Sequence, residues 1–191
     1  MAISLVKGEN VKFSSGLKVV QVGLGWTVRE TNGADFDLDA CCFLVGENGK
    51  VRSDDDFIFY NQLKSKCGSV EHMGDNQIGG DGCSDAEMIM VHLEKVPTDV
   101  VRLIFTVAIH EARERGQNFG MVNAAFIRVV DSETKEEIAR FDLSEDASTN
   151  TSMIFGEIYK RNNEWKFKAI GQGFNNGLLE VAQGFGVHVS N

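Results

Sequence analysis

Short apolar runs and strict alternation of apolar with polar residues dominate the chain. Alternation with period two is the signature of half-buried strands. It predicts strands at 17–24, 35–45, 56–60, 87–93, 100–109, 124–131, 137–143, 153–160 and 164–170. Val101, Leu103, Phe105, Val107 and Ile109 give the cleanest one-faced series. Turn-forming residues separate the runs: Glu47-Asn48-Gly49-Lys50, Asp131 to Lys135, and Asn162-Asn163. The last pair predicts a hairpin between Ile154–Lys160 and Glu164–Ile170. Helical spacing appears in the tail, at Leu178, Val181, Ala182 and Phe185, and a second short helix is expected at Glu111–Arg115. The expected fold is all-β dominated, a β-sandwich of two sheets with short helices, including a C-terminal one.

One stretch breaks the pattern. From about Lys64 to Ala86 the chain is polar, glycine-rich and aperiodic. A loop of this length inside a compact fold is uncommon and is often functional.

Composition narrows the function. With 191 residues, a single proline (Pro97) and no low-complexity tract, the chain is expected to form one domain over 1–191. A formal net charge of −9 argues against nucleic acid or an anionic membrane as the main partner. The N-terminal residues lack a signal-peptide apolar region, and no apolar run approaches the roughly 20 residues of a membrane span. A reduced, cytoplasmic protein without a transmembrane segment is expected. The four cysteines, Cys41, Cys42, Cys67 and Cys83, contain no Cys-x-x-Cys pair, which disfavours a zinc knuckle.

The candidate chemistry lies in the acids. Asp35, Asp37 and Asp39 alternate with Phe36 and Leu38, so a strand here sets three carboxylates on one face. Two such charges about 5 Å apart oppose each other by roughly 3 kcal/mol at an effective dielectric of about 20. A hard divalent cation removes that repulsion, and calcium accepts oxygen ligands in irregular geometry. The end of the aperiodic stretch and the residue after it hold similar material: Asp75, Asn76, Asp81, Asp85 and Glu87, interspersed with Gly79, Gly80 and Gly82. The competing reading of the triplet is a solvated strand face; the second acid-and-glycine segment favours metal. Asn61, at the end of a predicted strand, adds a neutral oxygen, and Asp56 is a weaker candidate.

Several alternatives fail on spacing. Counting twelve residues from Asp35 puts Ala40 and Gly46 where an EF-hand needs Gly and Glu. His110-Glu111-Ala112-Arg113-Glu114 lacks the second histidine of a zinc protease. Gly23-Leu24-Gly25 is not followed by the helix that a dinucleotide site requires. Arg113, Arg115 and Arg128 could meet a phosphate, but surface ion pairing is the simpler role for each.

Eight motifs in order carry a resemblance. They are Val22-Gly23-Leu24-Gly25-Trp26, Asp35-Phe36-Asp37-Leu38-Asp39-Ala40, Phe57-Ile58-Phe59-Tyr60-Asn61, Gly74-Asp75-Asn76, Gly116-Gln117-Asn118-Phe119-Gly120, Ala125-Phe126-Ile127-Arg128, Asp142-Leu143-Ser144-Glu145-Asp146 and Trp165-Lys166-Phe167. Together they resemble the TerD family of tellurium-resistance and stress-response proteins. The resemblance implies a β-sandwich that binds calcium, commonly two ions, and acts by binding and assembly rather than catalysis. It implies the ligands Asp35, Asp37, Asp39, Asn61, Asp75, Asn76, Asp85 and Glu87, with Gly80 and Gly82 acting through backbone carbonyls. It implies partners among other tellurium-resistance and stress proteins at the inner face of a membrane. The alternatives are a small-molecule receptor, for instance for a cyclic nucleotide, and an uncharacterised enzyme. The chain departs from the family pattern at Ala86, where an acid is usual, at Cys41-Cys42, and at Glu111 in place of Asp.

Overall fold

The computed structural model of the chain describes residues 2–28, 36–74, 85–143 and 149–188. Strands β1 (Ile3–Leu5), β3 (Val19–Val28), β6 (Val70–His72), β7 (Glu87–His92), β9 (Val122–Asp131) and β10 (Glu137–Asp142) form one sheet, in the order β1-β10-β9-β3-β7-β6. Strands β2 (Asn10–Lys12), β4 (Leu38–Gly46), β5 (Phe57–Ile58), β8 (Val100–Ile109), β11 (Ser152–Arg161) and β12 (Glu164–Phe174) form the other, in the order β2-β12-β11-β8-β4-β5. Apart from the parallel pair β1 and β10, the ladders are antiparallel. The sandwich is therefore the observed fold.

Alternation decides which residues face the core. Val20, Val22, Leu24 and Trp26 on β3 meet Leu38, Ala40, Cys42 and Leu44 on β4, with Ile127 and Phe155, in the main apolar cluster. The opposite face of β4, with Cys41, Phe43 and Val45, is also buried. It lies beneath helix α2 (Gly177–Gly184), which presents Leu178, Val181 and Ala182 to it. Period 3.6 in the tail thus closes a second small core over one sheet, and β4 is buried on both faces.

Local chemistry accounts for the connections. Asn162 and Asn163 take φ of 53° and 60°, the left-handed pair that a two-residue hairpin turn demands. A bulge between Ile154 and Gly156 shifts the β11 register, so that Phe155 and Ile158, three residues apart, both face the main core. Helix α1 (Ala112–Arg115) is a single turn stopped by Gly116 in the left-handed region.

Three strands fall outside the sequence expectation: β1, β2 and β6. Each has three residues, too few for an alternation signal. The third corrects the reading of 64–86 as one unbroken loop. Val70–His72 pairs with β7, and the Met73 N–H continues the ladder to the Met88 carbonyl at 2.9 Å. Residues 75–84, outside the described residues, connect the ends of this ladder.

Candidate metal centre

The sheet pairing brings the start of β4 against the ends of β6 and β7. Beyond its short partner β5, β4 has an open edge, because β5 pairs only with Cys42 and Phe43. The N–H and carbonyl of buried Ala40, which face this edge, are capped from the other sheet. Glu87 Oε2 accepts the Ala40 N–H at 2.7 Å, and His72 Nε2 lies 3.1 Å from both the Ala40 carbonyl and Glu87 Oε2. His72 Nδ1 accepts the Gly74 N–H at 3.1 Å, so the neutral ring carries its proton on Nε2 and donates from there. The Glu87 and His72 side chains are each 1% exposed. His72 is therefore a structural group.

Asp37 precedes β4. Its carbonyl accepts the His110 N–H at 2.8 Å, which extends the pairing with β8. Its Oδ1 is buried and has no hydrogen-bond partner among the described residues. An unpartnered buried carboxylate oxygen is costly and calls for a counter-charge. Asp39 is buried, with Oδ2 3.9 Å from His110 Nδ1. It borders a cleft of about 510 Å³ that also exposes Tyr60, Arg113 and Asn176. Asn61 is exposed, in the turn where Phe59 and Gln62 exchange backbone hydrogen bonds.

Asp85 stands apart from this group. Its carboxylate receives Arg128 Nε at 2.7 Å and Nη2 at 3.0 Å, and Gln21 Nε2 at 3.2 Å. Arg128 also bonds Glu137 at 3.1 Å. The carboxylate lies against the backbone of Gly23, where an added Cβ would sit 2.3 Å from it. Arg128 and Gly23 are directly paired on β9 and β3. Sequence reasoning had no role for Gln21 or Gly23, although a glycine inside a strand is itself a sign of close approach. Arg128 and Arg115 are ion-pair residues, as expected, the latter with Glu111 at 2.9 Å.

Two other positions named from the sequence have structural surroundings. Asp56 is held bidentately by Arg52, at 2.7 and 2.8 Å, and is structural. Ala86, where an acid would be usual, is buried in the main core, with its N–H on the Leu24 carbonyl at 2.8 Å.

Asp35, Asp75, Asn76, Gly80 and Gly82 lie outside the described residues. Among the described residues no three His, Cys, Asp or Glu side chains converge as a metal cluster. What is present fits a hard cation. The oxygens at hand include Asp37 Oδ1, buried and without a hydrogen-bond partner among the described residues, and the edge of β4 is fixed to Glu87 and, through His72, to Gly74.

Two six-stranded sheets among the described residues, on a chain of net charge −9, define an acidic β-sandwich protein. The chain matches the TerD domain over residues 1–185, and it belongs to that family. It is 53% identical to the tellurium resistance protein TerD of Serratia marcescens, covering 100% of both chains. It is 48% identical to general stress protein 16U of Bacillus subtilis (strain 168), over 99% of this chain and 100% of that one. A crystal structure of a homologue of telluride resistance protein (TerD) from Streptomyces coelicolor A3(2) superposes with a TM-score of 0.66 at 19% identity, covering 88% of this chain and 98% of that one, and shares the fold.

Proposed function

We propose that this member of the tellurium-resistance and stress-response family is a calcium-binding protein that acts by binding and assembly rather than catalysis. The observation that carries the reading is Asp37 Oδ1, buried without a partner among the described residues, beside a strand edge tied to the residues that flank the 75–84 segment. The proposed ligands are Asp37 and Asp39 on one side, with Asp35 next to them in sequence. From the 75–84 segment the proposal adds Asp75, Asn76 and the carbonyls of Gly80 and Gly82, and Asn61 is a peripheral oxygen. Two calcium ions would bring a charge of about +4 to this cluster. The names of the relatives support a role in tellurium resistance and stress response. Partners among proteins of the same system, at the inner face of a membrane, are part of the proposal itself. No helix among the described residues is long and apolar enough to cross a membrane. A cytoplasmic location belongs to the same proposal.

The cleft beside Asp39 is the feature that favours a small-molecule receptor. Its carboxylates, Asp39, Glu111 and Glu114, outnumber Arg113, so its charge favours a cation over a nucleotide phosphate.

Thermal unfolding in chelator and in calcium tests the reading. Saturation at about 100-fold above the dissociation constant adds about 2.7 kcal/mol, which raises the melting temperature of a chain this size by about 5–10 °C. An identical melting curve in both conditions overturns it.

A further inference from the structure

The expectation from resemblance makes Asp85 a calcium ligand, but its surroundings assign it another task. Its side chain is 3% exposed, and both carboxylate oxygens are taken: Oδ1 by Arg128 Nε, Oδ2 by Arg128 Nη2 and Gln21. The side-on approach of the guanidinium is the fork geometry that gives arginine its preference for carboxylates. Gly23 completes the seat, because any larger residue there would occupy the position of the carboxylate. Gln21 and Arg128 alternate with core-facing Val22 and Ile127 on their strands, so the seat is on the outer face of the sheet. Glu87, two residues on, points the opposite way, to Ala40 in the other sheet. The chain leaving the 75–84 segment is therefore gripped on both faces of one sheet within three residues.

We propose that Asp85 is a latch and not a ligand, and that Arg128 is a positioning residue that fixes the exit of the calcium-binding segment before the ion arrives. This rests on the calcium reading above. A fixed exit removes part of the ordering cost that binding would otherwise bear, so the latch raises affinity without touching the ion.

The two roles of Asp85 give opposite signs. If Asp85 ligates calcium, it must leave Arg128, and Arg128→Met frees the carboxylate, removes a competing positive charge and tightens binding. If Asp85 is a latch, Arg128→Met and Asp85→Asn both weaken calcium binding, by about tenfold, with the number of ions unchanged. The experiment is calorimetric calcium titration of both variants, paired with hydrogen exchange at the Ala86 and Glu87 amides in chelator. The latch predicts faster exchange there in the metal-free variants. Gly23→Ala, which intrudes on the carboxylate while leaving Arg128 in place, should act in the same direction and covers the case in which Arg128→Met does not fold. Tighter binding by Arg128→Met, loss of an ion in Asp85→Asn, or unchanged exchange in the variants overturns the latch. A wild-type chain that takes up no calcium overturns the calcium reading instead, and exchange in chelator still decides whether the latch exists.

Discussion

Glu87 and Ala40 lie in opposite sheets and are joined directly, Glu87 Oε2 accepting the Ala40 N–H at 2.7 Å. With His72 on the same carboxylate oxygen, the contact fastens the open edge of β4 to the β6–β7 ladder. It is made by protein groups alone, so its contribution is present without metal. Glu87→Ala should destabilise the chelator-treated protein by about 2–4 kcal/mol in urea unfolding, because it strips a buried backbone donor of a charged acceptor. Glu87→Gln keeps an acceptor oxygen and should lose less. Equal and small losses in both variants would contradict the role given to this carboxylate.

Gly156 at the β11 bulge is a second point of fixed geometry. A Cβ there would lie 2.8 Å from the Phe167 ring and 2.9 Å from the Lys168 carbonyl. The ring is buried and the carbonyl is backbone, so neither yields easily. Gly156→Ala is expected to cost about 1–3 kcal/mol by overpacking, read as a lower urea midpoint at unchanged slope. A midpoint equal to wild type would show that the bulge has room.

The thiols should separate by reactivity. Burial pushes Cys41 well up, helped by Cys42 and the negative charges of Asp39 and Glu87, and burial with Asp56 raises Cys42. Burial also raises Cys67, but the hydroxyls of Ser65 and Ser69 and the charge of Arg52 outweigh it and hold this thiol below its ordinary value. The thiolate is the nucleophile, so a lowered value means more reactive form near neutral pH. Iodoacetamide on the native protein should label Cys67 well before Cys41 or Cys42 by mass spectrometry, and Ser69→Ala should slow it. Labelling of Cys41 or Cys42 at the rate of Cys67 would refute the assignment.

Assembly under calcium control makes a separate prediction. Pull-downs with the full chain should retain partners in calcium and lose at least some of them in chelator. Retention of the same partners in both conditions removes calcium control from the proposal, leaving calcium as a structural ion.

Much of the fold could be read from alternation. Val101 to Ile109 and the Asn162-Asn163 turn specify β8 and the β11–β12 hairpin through side-chain period and backbone preference alone. Val70–His72 was not legible, because three residues carry no period and its pairing with β7 is a tertiary fact. The acids show the same division. Composition marked Asp37, Asp39, Asp85 and Glu87 as one oxygen-rich set. The partner that each carboxylate meets depends on residues far along the chain: Arg128 for Asp85, Ala40 and His72 for Glu87. Repulsion along a strand can be seen in a sequence; the cation that answers it, arginine or metal ion, depends on what the fold brings alongside.

The most direct test of the central claim is a calorimetric titration of metal-free protein with calcium, run on the wild type, Asp37→Asn and Asp55→Asn. Asp55 is a surface acid paired with Lys66 at 3.2 Å, and it serves as the control. The expected result is saturable binding of about two ions by the wild type and Asp55→Asn, with affinity at least tenfold weaker, or one ion lost, in Asp37→Asn. No heat of binding in the wild type, or equal affinities in all three proteins, would contradict a calcium site built on Asp37.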